Sequence, residues 1–260
     1  MTRLSAAFER RPAFMPYYPL GFPTPEISVD VIEALAKHGA DLIEVGLPFS
    51  DPLADGPVIQ HATQIALRQG MTVSKALRAM GDLRARGVTI PLLLMGYYNP
   101  LLAYGPERLA RDAAAAGADG FIVPDLPPEE AAEFEAASAP LPQIRMVAPT
   151  TPDKRLRRVL QGAQGFVYLV SLTGVTGARQ ELSEGLGDFV ARVRAEQTRH
   201  GAPLPLCVGF GISTPEQARA VGELADGVIV GSACVKAIGE SAAPVQTAIE
   251  FARAFKAALK

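Results

Sequence analysis

What most narrows the folds open to this chain is a repeated alternation of short apolar runs with longer, Ala-rich amphipathic stretches. The runs fall at residues 13–20, 41–47, 90–98, 119–125, 141–149, 165–171, 204–211 and 226–232. Each has strand length, whereas the stretches at 28–39, 105–117, 128–138, 151–162 and 214–224 carry the three-to-four-residue apolar spacing of helices. Several of these stretches open on Ser, Thr or Pro and close on Gly, as helix caps do. A short phrase recurs where helix gives way to strand: Gly39-Ala40-Asp41, Gly117-Ala118-Asp119 and, more loosely, Leu224-Ala225-Asp226. Eight strands, each followed by a helix, close most simply into a parallel barrel with the helices outside.

An open doubly wound sheet is the competing architecture. It normally has fewer strands and a Gly-rich turn after the first, but here PLGFPTPEIS follows, with no GxGxxG. The expected fold is α/β, a (β/α)8 TIM barrel. It carries an extra N-terminal helix near residues 4–10 and extra helical sequence after strand two, at 58–70 and 73–87. No linker or composition shift divides the 260 residues, so one domain, 1–260, is expected.

Composition excludes several classes of function. A net charge of −2 lacks the basic stripe of a nucleic-acid binder. No apolar run approaches the roughly 18 residues of a membrane span. The N-terminal MTRLSAAFERRPAFM has charges where a secretory leader needs its apolar stretch. Two cysteines, Cys207 and Cys234, provide no disulfide framework and suit a reducing, cytoplasmic setting. His38, His61 and His200 lack metal-ligand spacing, so no metal is expected. Chemistry falls to carboxylates, tyrosines and backbone.

Barrels of this kind place their sites at the C-terminal strand ends. Glu44 sits inside the second apolar run, and the segment after it, GLPFSDPLADGP, is long for a strand–helix connection and holds Asp51 and Asp55 among three prolines. A carboxylate in a strand often serves a buried or rim ion pair, and loop aspartates often cap turns. Two carboxylates converging on one mouth instead suit paired acid–base work. Glu44, in an apolar strand, is then raised in pKa, and Asp55, on a polar loop, stays ionised. Across the barrel, strands six to eight end in SLTGVTGARQ, VGFGIS and VIVGSA, where Gly177, Gly209, Gly211, Gly231 and Ser232 suit a phosphate cradle. Tyr17, Tyr97, Tyr98 and Tyr168 lie near strand ends beside Leu94 and Met95; they either pack the barrel or line a ring-binding pocket.

The stretches IEVGLPFSDPLADGPVIQ, VYLVSLTGVTGAR, VGFGIST and VIVGSA together resemble the α subunit family of tryptophan synthase, and the likeness runs from FMPYYPLGFP to the last strand. The resemblance implies a retro-aldol cleavage of indole-3-glycerol phosphate to indole and glyceraldehyde 3-phosphate. It implies Glu44 as general acid–base and Asp55 as the carboxylate facing the indole N–H. Tyr168 lies beside the substrate, with Tyr17, Tyr97 and Met95 as further pocket residues, and Gly177, Gly211, Gly231 and Ser232 hold the phosphate. Thr176 falls in a mobile lid, and Pro48 and Asp51 meet a β subunit in an α2β2 assembly. The partner carries pyridoxal phosphate, so this chain needs no cofactor. The likeness departs at Leu172, where many members have arginine, leaving that point without their polar anchor.

Other readings keep the architecture and change the function. A sugar-phosphate isomerase or aldolase would normally use a Schiff-base lysine or a metal, and no strand run holds a lysine. A regulatory binding subunit has no need of Glu44 and Asp55. A stand-alone indole-releasing lyase would share the site and lack the partner.

Overall fold

The computed structural model describes residues 2–170, 181–199, 201, 203–209 and 211–260, without the side chains of 181–184. Eight parallel strands close in sequence order into a barrel: β1 (Ala13–Pro19), β2 (Ile43–Gly46), β3 (Leu92–Met95), β4 (Gly120–Ile122), β5 (Gln143–Val147), β6 (Val167–Val170), β7 (Leu206–Gly209) and β8 (Gly227–Val230). The first and last strands pair through Ala13–Gly227 to Pro16–Val230, which completes the ring. The helices are α1 (Arg3–Ala6), α2 (Pro25–His38), α3 (Pro57–Arg68), α4 (Val73–Ala85), α5 (Tyr98–Tyr104), α6 (Pro106–Ala115), α7 (Ala132–Ser138), α8 (Asp153–Gln161), α9 (Glu181–Arg199), α10 (Pro215–Gly222), α11 (Ser232–Gly239) and α12 (Pro244–Ala258). The additions expected from sequence are α1, before the barrel, and the pair α3 and α4 between β2 and β3.

Helix starts follow local chemistry. Thr24, Thr72 and Thr214 each accept a backbone N–H three residues on, and Pro25, Pro57, Pro106, Pro215 and Pro244 stand at the start of the first turn. The strands are shorter than the apolar runs, and one shortening bears on the site: the third run extends through Tyr98, but β3 ends at Met95 and Tyr98 opens α5. The Tyr98 N–H donates to Asp125 Oδ1 at 2.8 Å, a partner from a distant loop.

Two apolar cores result. One lies between sheet and helices. The other fills the barrel with Met15, Leu42, Leu93, Ile122, Phe166 and Cys207, and is closed below by Leu4 and Phe8 beside α1; the Phe8 and Phe166 rings lie 5.8 Å apart.

The recurring Asp at the strand starts is the tie between neighbouring strands. Asp41 accepts the Phe14 N–H at 2.7 Å, Asp119 the Leu92 N–H and Asp226 the Leu206 N–H, both at 2.9 Å. Each also meets a cation: Lys256 on Asp41, Arg3 and Arg84 on Asp119, Arg11 and Arg194 on Asp226. The Arg84 guanidinium donates to Gly117, Val88 and Ile90 carbonyls as well as to Asp119. Asp119→Ala is therefore expected to destabilise the chain by about 2–4 kcal/mol, since it strands a part-buried guanidinium and a backbone donor. An unchanged denaturant midpoint would refute that role.

Candidate active site

Alternation along β2 sends Leu42 into the barrel and Ile43 and Val45 out to the helices, so Glu44 and Gly46 point inward. Glu44 lies in register between Tyr17 of β1 and Leu93 of β3 and is 1% exposed. Among the described residues its Oε1 has no hydrogen-bond partner. Burial pushes the carboxyl up to about 8, because the charged form has lost its water. A group that changes charge near neutral pH, with a bare oxygen, is equipped to move protons.

Two tyrosines share this interior. The Tyr17 hydroxyl occupies the space a side chain on Gly46 would need, and Tyr168 does the same over Gly209. Glycine at the ends of β2 and β7 is thus what admits the phenols. Both are buried and held well above the usual tyrosine range, first by burial and also by the nearby carboxylates Glu44 and Asp55. Gly209, read from sequence as an anion glycine, has this second neighbour. Met95, at the end of β3, packs half-buried against the barrel interior.

The loop of residues 47–56 folds over the mouth. Leu47 N–H donates to Met95 O at 2.7 Å, Asp55 N–H to Pro52 O at 3.0 Å, and Gln60 Nε2 to Asp55 O at 2.8 Å. The Ala54 N–H donates to the Tyr97 hydroxyl at 2.9 Å, and the Phe49 ring lies 5.5 Å from that of Tyr97. Asp55 is half-buried rather than solvated as its loop suggested. Burial pushes its carboxyl up to about 6, against a lowering hydrogen bond from the Tyr97 hydroxyl. It still ionises below neutral pH, as the sequence led one to expect, but by a narrower margin. Pro48 is half-buried, Asp51 exposed, and Leu53 94% exposed.

Of the four tyrosines singled out, Tyr98 turns away. Its ring meets Phe134 edge-on at 5.9 Å in the helix layer. Adjacent tyrosines at a strand exit face opposite ways, which sequence could not assign. Phe49 was not anticipated, although an aromatic beside the two loop aspartates was a usable signal.

At the neighbouring strand ends, Val208 of β7 pairs with Val228 of β8, and Gly211 and Gly231 each stand three residues beyond that pair. Gly231 precedes α11, whose first turn begins at Ser232 and has no side-chain cap, so its N–H groups are available to an anion. Gly177, Thr176 and Leu172 lie outside the described residues. A separate cleft of about 160 Å³ opens between residues 123–128 and β5. Both arginines on its walls are paired, Arg145 with Glu135 and Arg155 with Glu129, and its Asp125 accepts the Tyr98 N–H. Among the described residues no His, Cys, Asp and Glu cluster could hold a metal ion, and no helix is long and apolar enough to cross a membrane.

The family model for the tryptophan synthase alpha chain matches residues 4–260. The tryptophan synthase alpha chain of Chloroflexus aggregans is 52% identical over 242 residues, covering 90% of this chain and 89% of the relative. That of Geobacillus kaustophilus is 46% identical, covering 91% and 87%. Among solved structures, the alpha subunit from Legionella pneumophila superposes with a TM-score of 0.90 at 37% identity, covering 99% of this chain and 98% of that one. An aminoacrylate-bound tryptophan synthase from M. tuberculosis superposes at 0.88 with 36% identity, covering all of both chains.

Proposed function

The chain belongs to the tryptophan synthase alpha chain family, lyases acting on indole-3-glycerol phosphate, and from that premise we propose the role of each residue in its barrel mouth. The observation that carries the reading is the buried, inward Glu44, whose Oε1 has no partner among the described residues, set beneath a loop that brings Asp55 to the same mouth. Protonated Glu44 donates to indole C3. The ring becomes an iminium-like cation whose N–H faces ionised Asp55. Glu44, now a carboxylate, takes the proton of the hydroxyl on the carbon bonded to the ring. The carbon–carbon electron pair moves into the indole, and glyceraldehyde 3-phosphate leaves as the aldehyde. Glu44 thereby gives one proton and regains one, so the step balances without a cofactor.

Tyr17, Tyr97, Tyr168 and Met95 serve as walls for the flat ring. Gly211, Gly231 and Ser232, with Gly177, hold the phosphate, and Thr176 belongs to the segment that covers it. Labelled chain titrated with inorganic phosphate is expected to show amide shifts at Gly211, Gly231 and Ser232. Shifts confined to another region would displace the phosphate from this site.

Residues 1–260 act as one barrel domain in the cytoplasm. Pro48 and Asp51, beside the exposed Leu53, form part of the surface for a β subunit in an α2β2 assembly. That partner carries pyridoxal phosphate and receives the indole. Because the docking loop also carries Asp55, assembly and cleavage are linked through its order. The test is indole release from indole-3-glycerol phosphate, with and without a β subunit. Cleavage by the chain alone is expected to be slow and to accelerate on assembly. No indole under either condition would overturn the activity, and equal rates would favour a stand-alone lyase.

A further inference from the structure

We propose that Tyr97 is the positioning residue for Asp55: its hydroxyl ties the loop of residues 47–56 to the end of β3 and directs the Asp55 carboxylate into the mouth. The inference rests on the role given to Asp55 above. The phenol oxygen accepts the Ala54 N–H at 2.9 Å, which leaves its own hydrogen to donate to the Asp55 carboxylate, one residue along. Such a bond to an ionised acceptor is about twice as strong as a neutral one.

The ring has an aromatic neighbour, and the backbone on either side of the residue is held. Phe49 of the same loop lies 5.5 Å away, Gly96 N–H donates to Ile122 O at 3.0 Å, and Tyr98 N–H donates to Asp125. Tyr97 is 6% exposed, so water has little access to replace the phenol. Among the described residues the ionisable groups that act on Tyr97 are Asp55, Tyr17 on β1 and Asp125 after β4, with no cation among them, and Asp55 also acts on Tyr168 of β6. Among the described residues Tyr97 is the group that favours the charged form of Asp55.

The test compares Tyr97→Phe with the parent full-length chain by steady-state indole release across the pH range spanning both carboxyls. The ring and its packing on Phe49 are retained. Loss of a hydrogen bond to a charged group is expected to lower kcat by about tenfold, with KM within about twofold. The acidic limb of kcat moves upward, because Asp55 loses the group that lowers its pKa, and the thermal midpoint stays near the parent's. In an Asp55→Asn background the same substitution adds no further loss, since the two act as one unit. An unmoved acidic limb, or an equal proportional loss in that background, overturns the proposal. If Asp55→Asn is itself harmless, it is the role of Asp55 that falls, and the two failures are told apart.

Discussion

Glu44→Gln is expected to fold, retain substrate binding, and cleave indole-3-glycerol phosphate about 10⁴-fold more slowly, at the upper end for a general acid–base because one group performs both proton transfers. The amide keeps the shape of the side chain and cannot exchange the proton. Binding is spared because the phosphate cradle proposed beyond β7 and β8 is built from backbone N–H groups and does not use the Glu44 side chain of β2. Single-turnover cleavage at saturating substrate decides it: a folded variant within about threefold of the parent would end the mechanism.

The same substitution has an opposite effect on stability. The folded-state carboxyl sits at about 8 against an ordinary 4.5. Between those values the folded protein holds a proton the unfolded chain releases, so the parent loses stability as pH rises through that window. The glutamine does not titrate. Its advantage should therefore grow from acid to alkaline pH and reach the order of a few kcal/mol above pH 8. Denaturant unfolding at the two ends of the window measures this, and an advantage that shrinks with pH would contradict the buried, uncompensated carboxyl.

Asp55→Asn is expected to cost about 10²–10³-fold in kcat, the usual loss when one group stabilising a transition-state charge is removed. An amide cannot match the positive charge that forms on the indole nitrogen. Parent activity needs Asp55 charged and Glu44 protonated, so kcat should be bell-shaped with limbs near 6 and 8. Asp55→Asn should lose the acidic limb and keep the alkaline one. If the acidic limb survives in Asp55→Asn, another group owns it and the pairing is wrong.

Much of this is legible in the sequence. The alternation of runs and helices indicated eight strands, and the tight ties at Asp41, Asp119 and Asp226 explain why the Gly-Ala-Asp phrase recurs at strand starts. Glu44 and Asp55 stood out by being carboxylates in an apolar strand and a proline-rich loop. Three features were not legible. The direction of Tyr97 and Tyr98 depended on where β3 stops, and a side chain in another loop, Asp125, decides that. The pairings of Tyr17 with Gly46 and Tyr168 with Gly209 cross between strands. The half-burial of Asp55 depends on a loop bond to Tyr97, far away in sequence.

By itself, then, the sequence determined the number and order of the strands, the capped starts of the helices, and the residue types at the strand exits. These are local properties, written in apolar spacing and in Thr, Pro and Gly at chain positions where only neighbours matter. Tertiary structure alone decided which way Glu44 faces. Strands of a parallel barrel are apolar on both sides, so alternation carries no sign of inside or outside. It also decided that Glu44 keeps its proton at neutral pH while Asp55, raised only to about 6, gives its own up, because desolvation is supplied by β1, β3 and β6, whose proximity exists only once the ring closes.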